Sequence, residues 1–271
     1  MDRIPFTGMF YHPAFDDDPN DPLQQELNRL YDYSGDLETR ILHRARLNLF
    51  VRLMAELDRD GLLARREAAL DIGCNAGGYS QILSDFGYRR VEGIDLEPEL
   101  VARARARFER EWDGRSIRFR VQNAEELDPA PRYDLVLCTE VIEHTSRPEQ
   151  VVANLRSCLA PGGIAVVTMP NACSLPFIKA AIKYRLTGRQ DPVFEDHLRY
   201  PSWKALRLLG GPPLRLVRVS GTNLIFDATS LRWLHRAPFF AALNRAQFEL
   251  ARLWPFRYVS QFFFMVWRRD A

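Results

Sequence analysis

An aspartate inside an apolar run, followed at once by glycines, is the most chemically suggestive feature of this sequence: Ala-Leu-Asp71-Ile-Gly73-Cys74-Asn75-Ala-Gly77-Gly78. The apolar run reads as a buried strand, and YSQILSDFG after it as a helix. Glycines at such a junction let the backbone turn sharply and let a ligand approach without meeting a Cβ. Sheets of α/β proteins bind their cofactors at this edge. A tight turn with no ligand would use the same residues. A dinucleotide site needs GxGxxG, and Asn75 stands at the middle position. A carboxylate within the strand, Asp71, suits a cationic ligand better than a pyrophosphate, and can hold an amino group directly or through water.

Three further groups follow. Asp95 ends Glu92-Gly93-Ile94-Asp95-Leu96, about 20 residues on, where a carboxylate can take both hydroxyls of a ribose. That points to a nucleoside rather than to one cofactor, and an exposed strand-end aspartate is the alternative. Gln122-Asn123-Ala124-Glu125 is a polar turn able to meet an adenine edge, although an asparagine-containing turn explains it equally. Finally, YDLVLCTEVIEH runs out into Glu140, Glu143 and His144, whose spacing lets them share a helical face. His144 can serve as base toward a hydroxyl substrate, or simply cap this turn and pack under a ligand.

The elements that must position these residues read as alternating strands and helices. Strands are expected at AALDIG, RRVEGIDL, IRFRVQ, YDLVLCTE and GIAVVTMP, with helices at YSQILSDFG, PELVARARARFEREW and RPEQVVANLRSCLAPGG. Pro161-Gly162-Gly163 reads as a helix stop before a strand. Such alternation means βαβ units and a mainly parallel sheet. Upstream, Ile41, Ala45, Leu49, Leu53 and Leu57 draw one apolar stripe, so a helix is expected from about Leu37 to Leu57 with Gly61 as its stop. The first 20 residues, rich in Pro and Asp, read as irregular. Downstream, PSWKALRLLGG reads as a short helix, LRLVRVSG as a sixth strand and SQFFFMVWRR as a seventh.

Taken together, LDIGCNAGGYS, GIDLEPE, NAEELD, DLVLCTEVIEH and LAPGGIAVVTMPN stand in the order and spacing of class I methyltransferases. The chain resembles that family closely over about residues 67–171. It most resembles the branch containing ubiquinone-biosynthesis O-methyltransferases and many glycan, lipid and natural-product enzymes. The resemblance implies a Rossmann-like, mainly parallel seven-stranded sheet with helices on both faces, and S-adenosylmethionine as cofactor. It assigns Asp71, Gly73 and Gly77 to the methionine side, Asp95 and Leu96 to the ribose, and Asn123, Ala124 and Glu125 to adenine. Cys74 within the turn and Glu140 beyond the fourth strand count among the cofactor contacts. Asn75 departs from the family glycine and is expected to crowd the turn slightly.

A narrower resemblance is to small-RNA 3′-terminal 2′-O-methyltransferases, in which Glu140, Glu143, His144 and the His197 of Asp196-His197 would hold Mg²⁺ or Mn²⁺. EVIEH and DHLRY also occur in the first branch without metal, and no basic patch with interleaved aromatics lies near. No metal site is therefore expected. A non-catalytic cofactor-binding module is a third reading, against which the intact turn, Asp71 and Asp95 argue.

The expected organisation is an N-terminal extension with cap helices at 1–60 and a methyltransferase domain at 61–271. That domain carries a variable loop at 171–198 and an aromatic-rich insertion at 223–257. The insertion can wall an apolar substrate pocket, lie on a membrane surface, or pack as core and close the sheet edge. The partner expected is a small-molecule or lipid-like acceptor. With 37 Lys+Arg against 35 Asp+Glu, bulk charge makes no case for nucleic acid. Cys74, Cys138, Cys158 and Cys173 form no CxxC pair, which disfavours zinc and redox chemistry and suits a reducing cytoplasm. The start lacks the apolar core of a signal peptide, and no stretch approaches a membrane span.

Overall fold

A computed structural model describes residues 37–127, 133–188, 200–224 and 240–270. The first segment, for which irregular structure is expected, Asp196-His197 and much of the aromatic insertion lie outside the described residues. Among the described residues, helix α1 (Leu37–Arg59) comes first, followed by β1 (Ala68–Ile72), α2 (Gly78–Asp85), β2 (Arg90–Asp95) and α3 (Pro98–Phe108). Next come β3 (Arg110–Trp112), β4 (Arg115–Val121), β5 (Tyr133–Thr139), α4 (Pro148–Cys158) and β6 (Leu159–Pro170). Helices α5 (Leu175–Thr187) and α6 (Ser202–Leu209), strand β7 (Leu214–Thr222), helix α7 (Phe240–Leu250) and strand β8 (Phe262–Arg269) complete it.

The eight strands among the described residues lie in the order β3-β4-β2-β1-β5-β6-β8-β7. Strands β4, β2, β1, β5 and β6 run parallel, whereas β3 and β8 are antiparallel to their neighbours. One strand more is present than the sequence suggests. Arg110–Trp112 reads as the tail of the preceding helix, yet that helix stops at Phe108 and the tail turns back on β4. The turn is Asp113-Gly114, both at positive φ, the dipeptide that two-residue hairpins favour. Pro161-Gly162-Gly163 likewise lies inside β6, where the pairing with β5 shifts register between Tyr133 and Leu135.

Successive residues of the central strands feed opposite faces, as a two-residue period requires. Leu135 and Leu137 join Leu49, Leu53 and Leu57 of α1 and Ile82 of α2 in one cluster. Val136 and Cys138 join Val151, Leu155 and Cys158 of α4 and Leu209 of α6 in the other. A sheet covered on both faces explains why its strands read as continuous apolar runs. Helix α1 keeps the expected stripe at Leu49, Leu53 and Leu57 and also buries Leu47, Phe50 and Met54. Gly61, at φ +73, ends it as expected.

The polar flank of α1 is tied to the C-terminal part of the chain. The Glu56 carboxylate accepts from Arg252 at 2.5 Å and from Arg218 of β7 at 3.0 Å, and Arg52 donates to Glu249 of α7 at 2.5 Å. Glu56 is mostly buried and also accepts from Arg52 at 3.3 Å, so its loss leaves three guanidinium groups short of an acceptor. Glu56→Ala is expected to cost about 2 kcal/mol, within the range for charged hydrogen bonds. A thermal melt should show a drop of roughly 4–8 °C.

Candidate active site

The turn after β1 is built around a buried charge. Asp71 is fully buried, and Ser80 Oγ, on the first turn of α2, donates to its Oδ2 at 2.6 Å. Oδ1 is buried and makes no hydrogen bond. Burial pushes this carboxyl up to about 7; the Ser80 hydrogen bond pulls it down and the nearby Asp95 charge adds to the rise. Gly73 and Gly77 take φ +73 and +87. At Gly73 a Cβ would sit 2.2 Å from Val141 Cγ2, and at Gly77 it would press 2.9 Å from Phe108 and Phe119. Both glycines are thus required by backbone angle and by packing. Asn75 adopts φ +49, a left-handed conformation that asparagine tolerates, and its Oδ1 accepts from the Ala76 N–H at 2.6 Å. The missing middle glycine is accommodated without a backbone break. The Cys74 thiol is buried, and desolvation with the Asp71 charge keeps it protonated.

Asp95 closes the turn from β2. Its Oδ2 accepts from the Asn75 N–H at 2.8 Å and its Oδ1 from the Glu97 N–H at 3.0 Å. The next residue, Leu96, presents an apolar side chain that is 61% exposed. The Gln122 N–H donates to the Asp95 carbonyl at 2.9 Å, which brings the 122–126 turn alongside. There Asn123 caps a short 3-10 helix, Ala124–Glu126, by accepting from the Glu125 N–H at 2.9 Å. The Ala124 carbonyl is held by Asn154 of α4 at 2.9 Å. The Glu125 carboxylate accepts from the Ser146 and Arg147 backbones and from both of their side chains. Those bonds, Arg147 foremost, hold it down to about 2. Its carboxylate clamps the turn that carries 146 and 147, and the polar edge of the 123–125 turn is left to its other groups.

Beyond β5 the chain folds into a second acidic group. Glu140, at φ +54, accepts from Thr168 Oγ1 at 2.7 Å and lies 3.7 Å from Arg46 of α1. Burial raises its carboxyl, with Arg46 and Thr168 opposing. Glu143 is 2% exposed, and neither of its carboxyl oxygens has a hydrogen-bond partner. Burial, then the Glu140 charge, pushes it well above the usual carboxylate range. His144 Nε2 lies 4.0 Å from Glu143 Oε1, and its side chain is about half exposed. Glu143 and His144 belong to the short 3-10 helix Ile142–His144, whereas Glu140, in the left-handed region, stands outside it, so the three do not share the helical face their spacing allows. Among the described residues no group of three or more His, Cys, Asp and Glu is placed to hold a metal ion, and His197 lies outside the described residues.

Every strand-end residue singled out by the sequence therefore sits along one edge of the sheet, at the ends of β1, β2, β4 and β5. Besides Asn154, Ser146 and Arg147, three more participants have no sequence signal of their own. Ser80, Thr168 and Arg46 each reach the site from an element whose spacing to its partner is set by the fold.

Residues 42–237 match the methyltransferase-domain family, and the chain belongs to it. Sheet, glycine turn and family together place it among class I S-adenosylmethionine-dependent methyltransferases. Among curated proteins it is similar to the ubiquinone biosynthesis O-methyltransferase of Xanthomonas axonopodis pv. citri (strain 306), 32% identical over 132 residues. That match covers 48% of this chain and 54% of the relative. The corresponding protein of Rickettsia conorii is 29% identical over 147 residues, covering 54% of this chain and 48% of the relative. The chain thus spans about half the length of the curated relatives it matches. Among solved structures, magnesium protoporphyrin IX methyltransferase from Synechocystis PCC 6803 with bound SAH has the same fold, with a TM-score of 0.62 at 16% identity. The superposition covers 93% of this chain and 96% of that one.

Proposed function

We propose that this protein methylates an oxygen of a small-molecule, glycan or lipid-like acceptor, with S-adenosylmethionine as donor. The observation that carries the reading is Asp71 Oδ1, buried and unpartnered beneath a glycine turn that Asp95 holds from the next strand. That vacant acceptor fits the α-ammonium of the methionine moiety. Asp95, beside exposed Leu96, fits the ribose, and the 123–125 turn the adenine. Cys74, just past β1, and Glu140, just past β5, lie at the same edge of the sheet and are assigned to the cofactor with them. The names of the two relatives above, both ubiquinone biosynthesis O-methyltransferases, support oxygen as nucleophile and a lipid-like acceptor.

The sulfonium methyl arrives already activated, so the protein's task is to align a nucleophile and exclude water. We assign the removal of the hydroxyl proton to His144; Glu143 lies 4.0 Å from it, and burial favours the neutral form of that carboxyl. The four cysteines are free, three of them buried, which fits a reducing cytoplasm as its location.

S-adenosylmethionine is expected to raise the melting temperature and NAD to leave it unchanged. At 100 times Kd the stabilisation is about 2.7 kcal/mol. A shift with NAD alone would overturn the reading. Methyl transfer is expected to persist in EDTA. Its loss there, with recovery on adding Mn²⁺ or Mg²⁺, would instead favour a metal-dependent enzyme acting on RNA 3′ ends.

A further inference from the structure

We propose that helix α5 and the turn at 253–256 form a rim that docks on an anionic lipid bilayer at the mouth of the active site. The proposal rests on the lipid-like acceptor just inferred, and extends it to how such an acceptor reaches the protein.

Both elements leave the sheet at the same edge. Thr139, the last residue of β5, pairs with Thr168, and β6 ends two residues later at Pro170. Pro170 pairs with Phe262, the first residue of antiparallel β8. The segment entering β8 therefore lies at the edge where β5 ends and Glu140 begins. One residue latches the two elements there. The buried Asn171 side chain donates to the Tyr258 and Ser260 carbonyls at 2.8 and 3.0 Å. Its oxygen accepts from the Cys173 and Ser202 N–H groups, both at 3.0 Å.

Helix α5 is held at its N-terminal end, and its described side chains from Ile178 on are exposed. Ser174 caps it by accepting from the Phe177 N–H, and the Phe177 ring is buried. Leu175, Ile178, Ile182 and Leu186 recur every three or four residues and are 46, 44, 53 and 81% exposed. At 3.6 residues per turn they share a face pointing away from Phe177. Single exposed apolar side chains are ordinary, but a continuous stripe on one helix face marks an interaction surface. The turn adds Leu253 and Trp254, 56 and 74% exposed.

Charge selects the occupant. The sequence of α5, LPFIKAAIKYRLT, holds three basic residues and no acidic one. Lys179 and Arg185 are exposed beside the stripe. Apolar side chains flanked by cations, with a tryptophan at hand, suit the headgroup boundary of an anionic bilayer. A second copy of the chain would bring the same cations against each other. No helix among the described residues is long and apolar enough to cross a membrane, so the contact is peripheral.

The test is co-sedimentation of the full chain with vesicles of phosphatidylcholine alone or mixed with phosphatidylglycerol. Binding is expected only to the mixed vesicles, and it should weaken in 0.5 M salt, since exposed charges are screened. The double variant Ile178→Asp/Ile182→Asp should bind at least tenfold less, with S-adenosylmethionine affinity by calorimetry unchanged. Trp254→Ala should lose binding several-fold. Failure of the wild type to sediment with mixed vesicles, or equal binding by the double variant, overturns the proposal. So does a concentration-dependent dimer that Ile182→Asp dissolves. If vesicles bind but a lipid-dissolved hydroxylated acceptor is not methylated, the docking stands and the acceptor reading falls.

Discussion

Asp71→Asn is expected to weaken S-adenosylmethionine binding by roughly ten- to a hundredfold, since a hydrogen bond to a charged acceptor contributes about 1.5–3 kcal/mol. The same substitution should flatten the pH dependence of stability, and the sign follows from burial. The folded carboxyl is raised to about 7 from 3.8. Between those values the native state holds a proton that the unfolded chain has released. Stability therefore falls as pH rises through that window. Three pH units at 1.36 kcal/mol each set the loss at about 4 kcal/mol by pH 8. Asparagine carries no such cost. Whatever the variant loses at pH 5 from an ill-matched amide, the wild type's advantage should shrink by about 3 kcal/mol between pH 5 and pH 8, since only the two pH units from 5 to the folded value remain. Donor binding should show the complementary trend. An ammonium group prefers the ionised carboxylate, so affinity should climb about tenfold per pH unit up to near 7. It should fall again above about 8, where an α-amino group loses its proton. Urea melts and calorimetric titrations across pH 5–8.5 measure both. A pH-independent affinity in the wild type would remove Asp71 from the methionine site.

The central sheet is legible in the sequence because a doubly covered parallel sheet writes itself as apolar runs. AALDI and YDLVLCT needed no alternation to be recognised as strands, and the glycines between Asp71 and α2 marked which strand end to examine. What escaped detection has physical causes. Arg110–Trp112 continues the apolar and basic rhythm of α3, and only Asp113-Gly114 betrays the hairpin. Glu125 reads as an adenine contact, yet its carboxylate is engaged by Ser146 and Arg147, 21 and 22 residues away on the far side of β5. Arg46 lies on the N-terminal helix, and its approach to Glu140 depends on how α1 settles on the sheet. Helical periodicity predicts which face of α1 is buried, but not which strand end that face meets. Pairings of this kind follow from tertiary packing, and no local spacing encodes them.

Asp95→Ala is expected to raise the Kd for S-adenosylmethionine at least tenfold and by as much as a thousandfold. An ionised carboxylate has about four acceptor positions. Two are taken by the Asn75 and Glu97 N–H groups, which leaves two for the pair of ribose hydroxyls. Alanine removes both ribose bonds, and it also releases the turn that must stand over Asp71. The fold should survive, since both backbone bonds lie at the solvent-exposed end of β2, where water replaces the lost acceptor. The stability cost is then about 1 kcal/mol or less. Asp95→Asn separates the two roles. Its single oxygen can satisfy one N–H and one hydroxyl, while its amide nitrogen faces the other N–H donor to donor. The turn should therefore loosen even though a hydroxyl contact remains. If the carboxylate served only the ribose, asparagine would bind the donor far better than alanine. Because it also fastens Asn75, asparagine should recover only part of that difference. Calorimetric titration of the two variants, each shown folded by its melting curve, gives the ratio directly. Unchanged affinity in Asp95→Ala would mean that the nucleoside does not lie along the end of β2, and the assignments to Leu96 and the 123–125 turn would fall with it.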